Sequence, residues 1–119
     1  MVTKADRIHA VVTKFLSIVE AHDGETFTLS ELCRMAGFSE RALNYAFHEE
    51  FNLSPARYLK IQRLRGAYGD LTRADLANMS IAEIANKWDF WHMGQFAKDF
   101  HALFGLLPSD ARKRSVPRC

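Results

Sequence analysis

Four side chains with strong hydrogen-bonding groups lie within one short stretch of the sequence, residues 41–48. With successive residues about 100° apart on a helix, the nearby apolar residues collect on one face and these four collect on the opposite face. Each of the four can hydrogen-bond a base edge or a phosphate, and arginine and asparagine are typical readers of guanine and adenine. An ordinary solvated helix surface is the alternative interpretation. The four residues are Arg41, Asn44, Tyr45 and His48.

The sequence around this stretch occurs twice in the chain. The letters FHEEFNLSPA at 47–56 return as FHALFGLLPS at 100–109, and TLSELCRMAGF at 28–38 aligns with SIAEIANKWDF at 80–90. Both aligned segments begin with a Thr or Ser that is followed three residues later by Glu, which is a capping box that satisfies free amide donors at a helix start. Each copy therefore predicts a capped short helix, a tight turn and a second helix, which together form a helix-turn-helix.

The two copies differ at the turn and on the second helix. Gly37 can adopt a positive φ without steric penalty and Ser39 can cap the helix that follows, whereas the second copy has Asp89 in place of Gly37. Among the outward positions of the second copy, a lysine can hold a phosphate or guanine and an alanine can touch a thymine methyl. This helix is expected to contribute more through phosphate contact than through base hydrogen bonds. Its outward positions are Gly94, Ala97, Lys98 and His101.

The helical pattern predicts an all-α fold of about seven helices, with two helix-turn-helix subdomains joined by a long linking helix. Ser54 and Pro55 suit the start of that linking helix, and two glycines, Gly66 and Gly69, are expected to loosen its last turns. A last short helix is expected near Ser109. The aromatic cluster is interpreted as the core of the second subdomain, with a base-stacking platform as the alternative; it comprises Trp88, Phe90, Trp91, Phe96 and Phe100.

The expected organisation has four segments. A leading amphipathic helix in residues 1–26 packs on the first helix-turn-helix in residues 27–53. A linking helix and a connector of uncertain structure occupy 54–79, and residues 80–119 hold the second helix-turn-helix, the last helix and a basic tail. A run of four cations without an acid, from Arg57 to Arg65, is either a solvated helix face or part of a binding surface.

Composition and motifs exclude several classes of protein. The chain of 119 residues is 48% hydrophobic and 25% charged, with a net charge of +2, as in a soluble globular protein. It has no apolar run long enough to span a bilayer. The thiols Cys33 and Cys119 are too few for a disulfide framework, which suits the cytoplasm, and Cys33 is expected to be a small buried core residue. Neither metal-ligand spacing nor a cofactor or enzyme motif is present, so we expect no metal, no cofactor and no enzymatic activity.

Two stretches carry a clear resemblance to a known family. They are GFSERALNYAFHEEFNLSPARYLKIQRLRGA at 37–67 and SIAEIANKWDFWHMGQFAKDFHALFGLLPSDARKR at 80–114. Both resemble the DNA-binding domain of the AraC/XylS family of bacterial transcription regulators, and the likeness covers about 27–114. It implies two recognition helices that enter successive major grooves on one face of the duplex, about 34 Å apart.

The resemblance also implies positions of contact with DNA. Its base-reading positions in the first copy fall on Arg41, Asn44 and Tyr45, to which His48 is added from the helical face. In the second copy they fall on Met93, Gly94, Ala97 and Lys98. The expected phosphate contacts are Ser39, His92 and His101.

The resemblance further implies partners. They are double-stranded DNA at an operator or promoter and RNA polymerase, with activation the commoner outcome in this family. Most members carry a sensory domain ahead of this one, so a small-molecule effector would act only through a domain that these residues do not contain, and the chain is interpreted as a fragment or a short stand-alone regulator. The alternative function is a protein-interaction module whose second helix-turn-helix no longer reads bases.

Overall fold

The computed structural model describes residues 2–22 and 27–114, and all regular structure in these ranges is helical. The all-α fold with about seven helices is thereby confirmed. The chain forms two compact units, divided between Tyr58 and Leu59. The helices are α1 (Lys4–Ala21), α2 (Leu29–Ala36), α3 (Glu40–Phe51), α4 (Pro55–Leu71), α5 (Ile81–Lys87), α6 (Met93–Phe104) and α7 (Pro108–Lys113), with one 3₁₀ turn at Ala74–Leu76.

The first unit is built on the leading helix α1, which packs against both α2 and α3. Phe15 of α1 and Phe47 of α3 meet edge to face with their ring centroids 5.7 Å apart, and neither is accessible to solvent. Cys33 is 3% exposed, so its prediction as a small core residue is confirmed, and burial raises the pKa of its thiol. The other buried side chains here are Val12, Leu32, Ala36, Leu43 and Ala46.

Side-chain caps fix the start of several helices. Ser80 and Glu83 form the complete reciprocal box at α5, as predicted. At α2 the prediction is only half right: the Thr28 hydroxyl accepts from the Glu31 amide, but the Glu31 carboxylate accepts from that hydroxyl (3.0 Å) and not from a backbone amide.

The second unit has a core of aromatic and aliphatic side chains from α4, α5, α6 and α7. Phe90, Phe96 and Phe100 are buried, and Trp88 packs against them, as the sequence predicts. The inclusion of Trp91 in this core is wrong, because its side chain is 66% exposed.

Helix α4 remains regular to Leu71, so the expected loosening at its glycines does not occur. The Ser54 hydroxyl caps it by accepting from the Arg57 amide. Gly66 has a packing reason to lack a side chain: a Cβ there would lie 2.4 Å from the Trp88 ring. Only the first turn of α4 belongs to the first unit, and the rest of the helix belongs to the second.

A buried carboxylate ties α4 to the end of α5. Asp70 is 6% exposed and accepts hydrogen bonds from Lys87 Nζ and Trp88 Nε1, both at 2.8 Å. Burial opposes the charged form, but the hydrogen bonds from Lys87 and Trp88 and the charges of Lys87 and Arg73 outweigh it, so the pKa of Asp70 lies below its usual value.

The expected basic tail begins with a residue that has a structural role. The Arg112 guanidinium donates to the carbonyl oxygens of Leu76 (3.1 Å) and Met79, and so holds the connector against α7. These two hydrogen bonds fix the position of the Arg112 side chain. The rest of the predicted tail, and Cys119, lie partly or wholly outside the described residues.

Candidate nucleic-acid interface

The first turn has the geometry that the sequence predicts. Gly37 ends α2 with φ 82°, and its amide and that of Phe38 both donate to the Cys33 carbonyl, at 2.9 and 3.0 Å. Ser39 then caps α3 by accepting from the Ala42 amide at 3.1 Å. These bonds satisfy some of the free backbone groups at the end of α2 and at the start of α3, and they restrict the direction of α3 relative to α2.

Helix α3 divides into a buried face and an exposed polar face. Leu43, Ala46 and Phe47 anchor it in the core. The four base-contacting candidates of the first copy are all exposed and share the opposite side, as predicted; they are Arg41, Asn44, Tyr45 and His48. In the described part of the chain no acid pairs with Arg41, so its guanidinium keeps its donors for a ligand.

The imidazole of His48 is oriented by its own helix. Its Nδ1 lies 2.8 Å from the Asn44 carbonyl oxygen, and a carbonyl can only accept, so Nδ1 carries the proton of this bond. Nε2 is then the nitrogen that remains for a ligand. In the neutral ring it accepts, and in the protonated ring it donates to a phosphate or a guanine.

A cation that the sequence analysis missed lies beside this face. Lys4 Nζ is 5.3 Å from the centroid of the Tyr45 ring, and Tyr45 is 47% exposed. The pKa of Lys4 is raised, first by a hydrogen bond with the Tyr45 side chain and then by electrostatic interactions with Tyr45 and Glu49. The sequence carried no signal for this contact, because the two residues come from different helices.

The second turn reaches the same backbone geometry with a different residue. Asp89 has φ 67°, which confirms that the aspartate occupies the left-handed position held by Gly37 in the first copy. Its carboxylate accepts from the Trp91 indole N–H at 2.8 Å and pairs with Arg63 at 3.6 Å. The Arg63 guanidinium also lies 5.1 Å from the centroid of the Phe90 ring.

The candidate contact residues of α6 are exposed to different degrees. Gly94, Lys98 and His101 are exposed, whereas Met93 and Ala97 are half-buried. Met93 packs against the core, and it lines with Ala97 an apolar groove of about 380 Å³. The other residues of the groove are Ile81, Ala82, Phe96, Leu107, Pro108 and Ser109. Met93 and Ala97 therefore present apolar surface rather than hydrogen-bonding groups.

His92 stands at the start of α6, as its N-cap residue, without a side-chain capping bond. Its exposed imidazole is thus available to a ligand beside the free amides of the helix start, a place where anions bind well. In the first copy Ser39 has the equivalent position. Its hydroxyl oxygen accepts the capping bond from the Ala42 amide, and its hydroxyl proton can still be donated to a ligand.

Part of the basic run of α4 is neutralised by acids of the second unit. Lys60 Nζ lies 2.6 Å from Asp99, which also accepts from Gln95 at 3.0 Å, and Arg63 pairs with Asp89. Lys60 and Arg63 are therefore engaged by acids of their own unit. Arg57 and Arg65 are exposed.

The described residues form neither a cluster of metal ligands nor a membrane-spanning helix. Within residues 2–22 and 27–114, no group of three or more His, Cys, Asp or Glu side chains is arranged to hold a metal ion. Over the same residues, no helix combines the length and the apolar character needed to cross a membrane.

Comparison with known proteins agrees with this geometry. A family described as a helix-turn-helix domain matches residues 32–114, a span that contains both turns and α3 and α6. The chain belongs to the AraC/XylS family. Its structure is similar to the crystal structure of a probable AraC family transcriptional regulator from Rhodopseudomonas palustris, with a TM-score of 0.80. The two are 27% identical in sequence, and the match covers 91% of this chain and 99% of that one. A regulator from Chromobacterium violaceum, 22% identical, has the same fold with a TM-score of 0.80.

Curated relatives of this AraC-type chain are named as regulators. The probable thc operon regulatory protein of Rhodococcus erythropolis is 37% identical over 107 residues, which are 90% of this chain and 32% of that protein. The XylDLEGF operon transcriptional activator 2 of Pseudomonas putida is 26% identical over 89% of this chain and 68% of its own length. The chain thus spans about a third of the first relative. These names agree with the expectation that the AraC-type chain is not an enzyme.

Proposed function

We propose that the chain is a double-stranded DNA-binding module of a bacterial transcription regulator, and that α3 is its main sequence-reading element. The observation that carries the proposal is the exposed face of α3, where Arg41 and Asn44 stand on a helix fixed in the core on its other side. A bidentate contact from arginine to guanine, or from asparagine to adenine, contributes about 1–3 kcal/mol of discrimination against a wrong base.

The experiment has two stages. Selection from a random duplex library identifies a preferred site, and fluorescence anisotropy then compares that site with random DNA at several salt concentrations. We expect specific affinity well above non-specific affinity, and both should fall steeply as salt rises because phosphate contacts release counterions. If no selected sequence exceeds random DNA, sequence-specific binding is refuted.

Matched variants locate the reading face. Arg41→Ala and Asn44→Ala should each relax preference at one or two base positions, by about 1–3 kcal/mol. Arg34→Ala, on α2, removes the same charge as Arg41→Ala from another exposed position. It should lower the affinity for all sequences alike and leave the preferred bases unchanged. Loss of preference in Arg34→Ala, with none in Arg41→Ala, would contradict the assignment of α3.

We further propose that α6 is a second recognition helix and that the two helices occupy successive major grooves. The repeat supports this, since both copies have a capped first helix, a left-handed turn residue and a second helix of 12 residues. Because α6 presents Gly94 and the half-buried Ala97 rather than large polar groups, it should depend on Lys98 and on phosphate contacts from His92 and His101. Footprinting should then show two protected blocks about one helical turn apart. A single block would refute the second reading helix.

We propose activation as the direction of regulation, through contact with RNA polymerase. The name of the Pseudomonas putida relative supports it, since that protein is a transcriptional activator. Transcription in vitro from a promoter that carries the selected site should increase when the chain, or a longer protein containing it, is added. A decrease would identify a repressor.

One observation favours a second candidate, a module that binds a protein through its second helix-turn-helix. Met93 and Ala97, at base-reading positions, line the apolar groove next to Leu107, which is 45% exposed. Under this function, Ala97→Glu would abolish partner binding and leave DNA affinity unchanged. Under the leading function, the same change places an acid at the DNA and lowers affinity.

A further inference from the structure

Trp91 is a large apolar side chain that is exposed but held in one orientation. It is 66% exposed, and its indole N–H donates to Asp89 at 2.8 Å. Asp89 is itself restrained by its left-handed backbone and by Arg63, which lies over the Phe90 ring. Tryptophan is enriched at binding interfaces, and an indole that is already positioned by other contacts loses less conformational freedom when it binds.

The place of Trp91 in the chain connects it to the proposed interface. It directly precedes His92, the N-cap residue of α6, so it stands at the N-terminal end of the proposed second recognition helix. In helix-turn-helix proteins that end of the recognition helix points at the DNA. Three of the four proposed base-reading positions of α6, Met93, Gly94 and Ala97, have no hydrogen-bond donor in the side chain, so a contact from Trp91 would add to the affinity of this copy.

The chemistry of the indole restricts what it can contact. Its one donor is occupied by Asp89, so the ring has no hydrogen bond to give to a phosphate or a base. The neighbouring carboxylate of Asp89 also repels phosphates, although Arg63 offsets part of that charge. What remains is an apolar ring face and edge, which suits the apolar surface of a deoxyribose.

We propose that Trp91 packs against a deoxyribose of the strand that borders the groove entered by α6, as an anchor that is independent of base sequence. The inference rests on the proposed function and adds a contact that the polar side chains of α6 do not supply. It separates the two copies by chemistry: α3 reads bases through hydrogen bonds, and the second copy holds the backbone partly through apolar contact.

The first test is affinity measured against salt. Trp91→Ala should weaken binding to the selected site and to random DNA by the same factor, roughly tenfold, as expected from losing about 55 Å² of buried apolar surface. The salt dependence should keep its slope, because no phosphate contact is lost. Lys98→Ala is the contrasting variant, with a slope smaller by about one, and Trp91→Phe should retain most of the affinity. A loss confined to the selected site would mean a base contact and would overturn the sugar contact.

The second test is acrylamide quenching of tryptophan fluorescence with and without DNA. Acrylamide should strongly quench the fluorescence of the free protein, because Trp91 is exposed, and should quench the DNA-bound protein much less. The Trp91→Phe variant measures the quenching that is due to Trp88 alone. If wild-type protein binds no DNA, both the proposed function and this inference are overturned. If it binds DNA while Trp91 stays quenchable and Trp91→Ala binds equally well, only this inference is overturned.

Discussion

Replacing each of the two glycines of α4 by alanine should have opposite effects on stability. Both are helical and lie in the last turns of Pro55–Leu71, so each substitution gains about 1 kcal/mol of helix propensity. Around Gly69 an added Cβ meets nothing within 4 Å. Gly69→Ala should therefore stabilise the protein by up to about 1 kcal/mol.

At Gly66 the same methyl group collides with Trp88. The added Cβ would lie 2.4, 2.5 and 2.6 Å from three ring carbons, whereas carbon atoms in contact prefer about 3.5–4.0 Å. The ring must move by about 1 Å, but its N–H is bound to Asp70 and its faces pack on the core. Such overpacking costs about 1–3 kcal/mol. The net effect of Gly66→Ala is destabilisation by up to about 2 kcal/mol.

The difference between the two variants is the sharper quantity, because the shared gain in helix propensity cancels. It should be about 1–3 kcal/mol, measured by urea unfolding followed by far-ultraviolet circular dichroism. The same substitution is then made in a Trp88→Leu variant, which lacks the ring that the Cβ would meet. In that variant Gly66→Ala should be stabilising. Equal stabilisation by both alanines in the wild-type background would refute the close packing of Trp88 on α4.

Three further predictions follow from single contacts. Asp70→Asn should cost about 1–2 kcal/mol at neutral pH, since it removes a buried charge held by two donors. Folding lowers the pKa of Asp70, so the stability that its charge contributes is complete above the unfolded pKa of about 3.9 and is lost as the pH falls through the folded pKa. Urea unfolding should therefore show the free energies of wild type and Asp70→Asn converging in acid. Ser39→Ala should cost about 1 kcal/mol of unfolding free energy, whereas Ser39→Asp should keep the cap and the stability but lower DNA affinity in anisotropy. Asp89→Asn should keep the left-handed turn and the acceptor for Trp91 and should raise DNA affinity a few-fold at low salt; unchanged affinity would place Asp89 away from the phosphates.

Local patterns were enough to predict the helices and the exposed polar face of α3. Apolar spacing, the cap at Ser39 and the freedom of Gly37 are properties of neighbouring residues, and they determine where α3 starts and which side it exposes. The repeat then carried the same geometry to the second copy, including the left-handed position of Asp89.

Two features that the sequence did not predict depend on partners from distant elements. The pairing of Asp70 with Lys87 and the donation from Arg112 to the connector join residues of different helices, for which periodicity gives no signal. Trp91 was also placed wrongly, for a different reason. Phe90 and Trp91 are consecutive residues between α5 and α6, and their shared aromatic character does not reveal that Phe90 is buried whereas Trp91 is exposed.

The two helix-turn-helix copies share a left-handed turn residue, but that residue is Gly37 in the first copy and Asp89 in the second. The acid at the second turn should affect how well α6 can gain base discrimination. In the first copy Gly37 and Ser39 shape the turn without adding charge near α3, so its face is free to carry Arg41 and Asn44. In the second copy the turn residue is an acid, and Arg63 and the Trp91 indole are both committed to it. Because Arg63 offsets only part of the Asp89 charge, the remaining charge repels phosphates, and a polar reader added to α6 at Gly94 should improve discrimination less than it would in an Asp89→Asn background. Site selection with Gly94→Asn, before and after Asp89→Asn, measures that coupling directly.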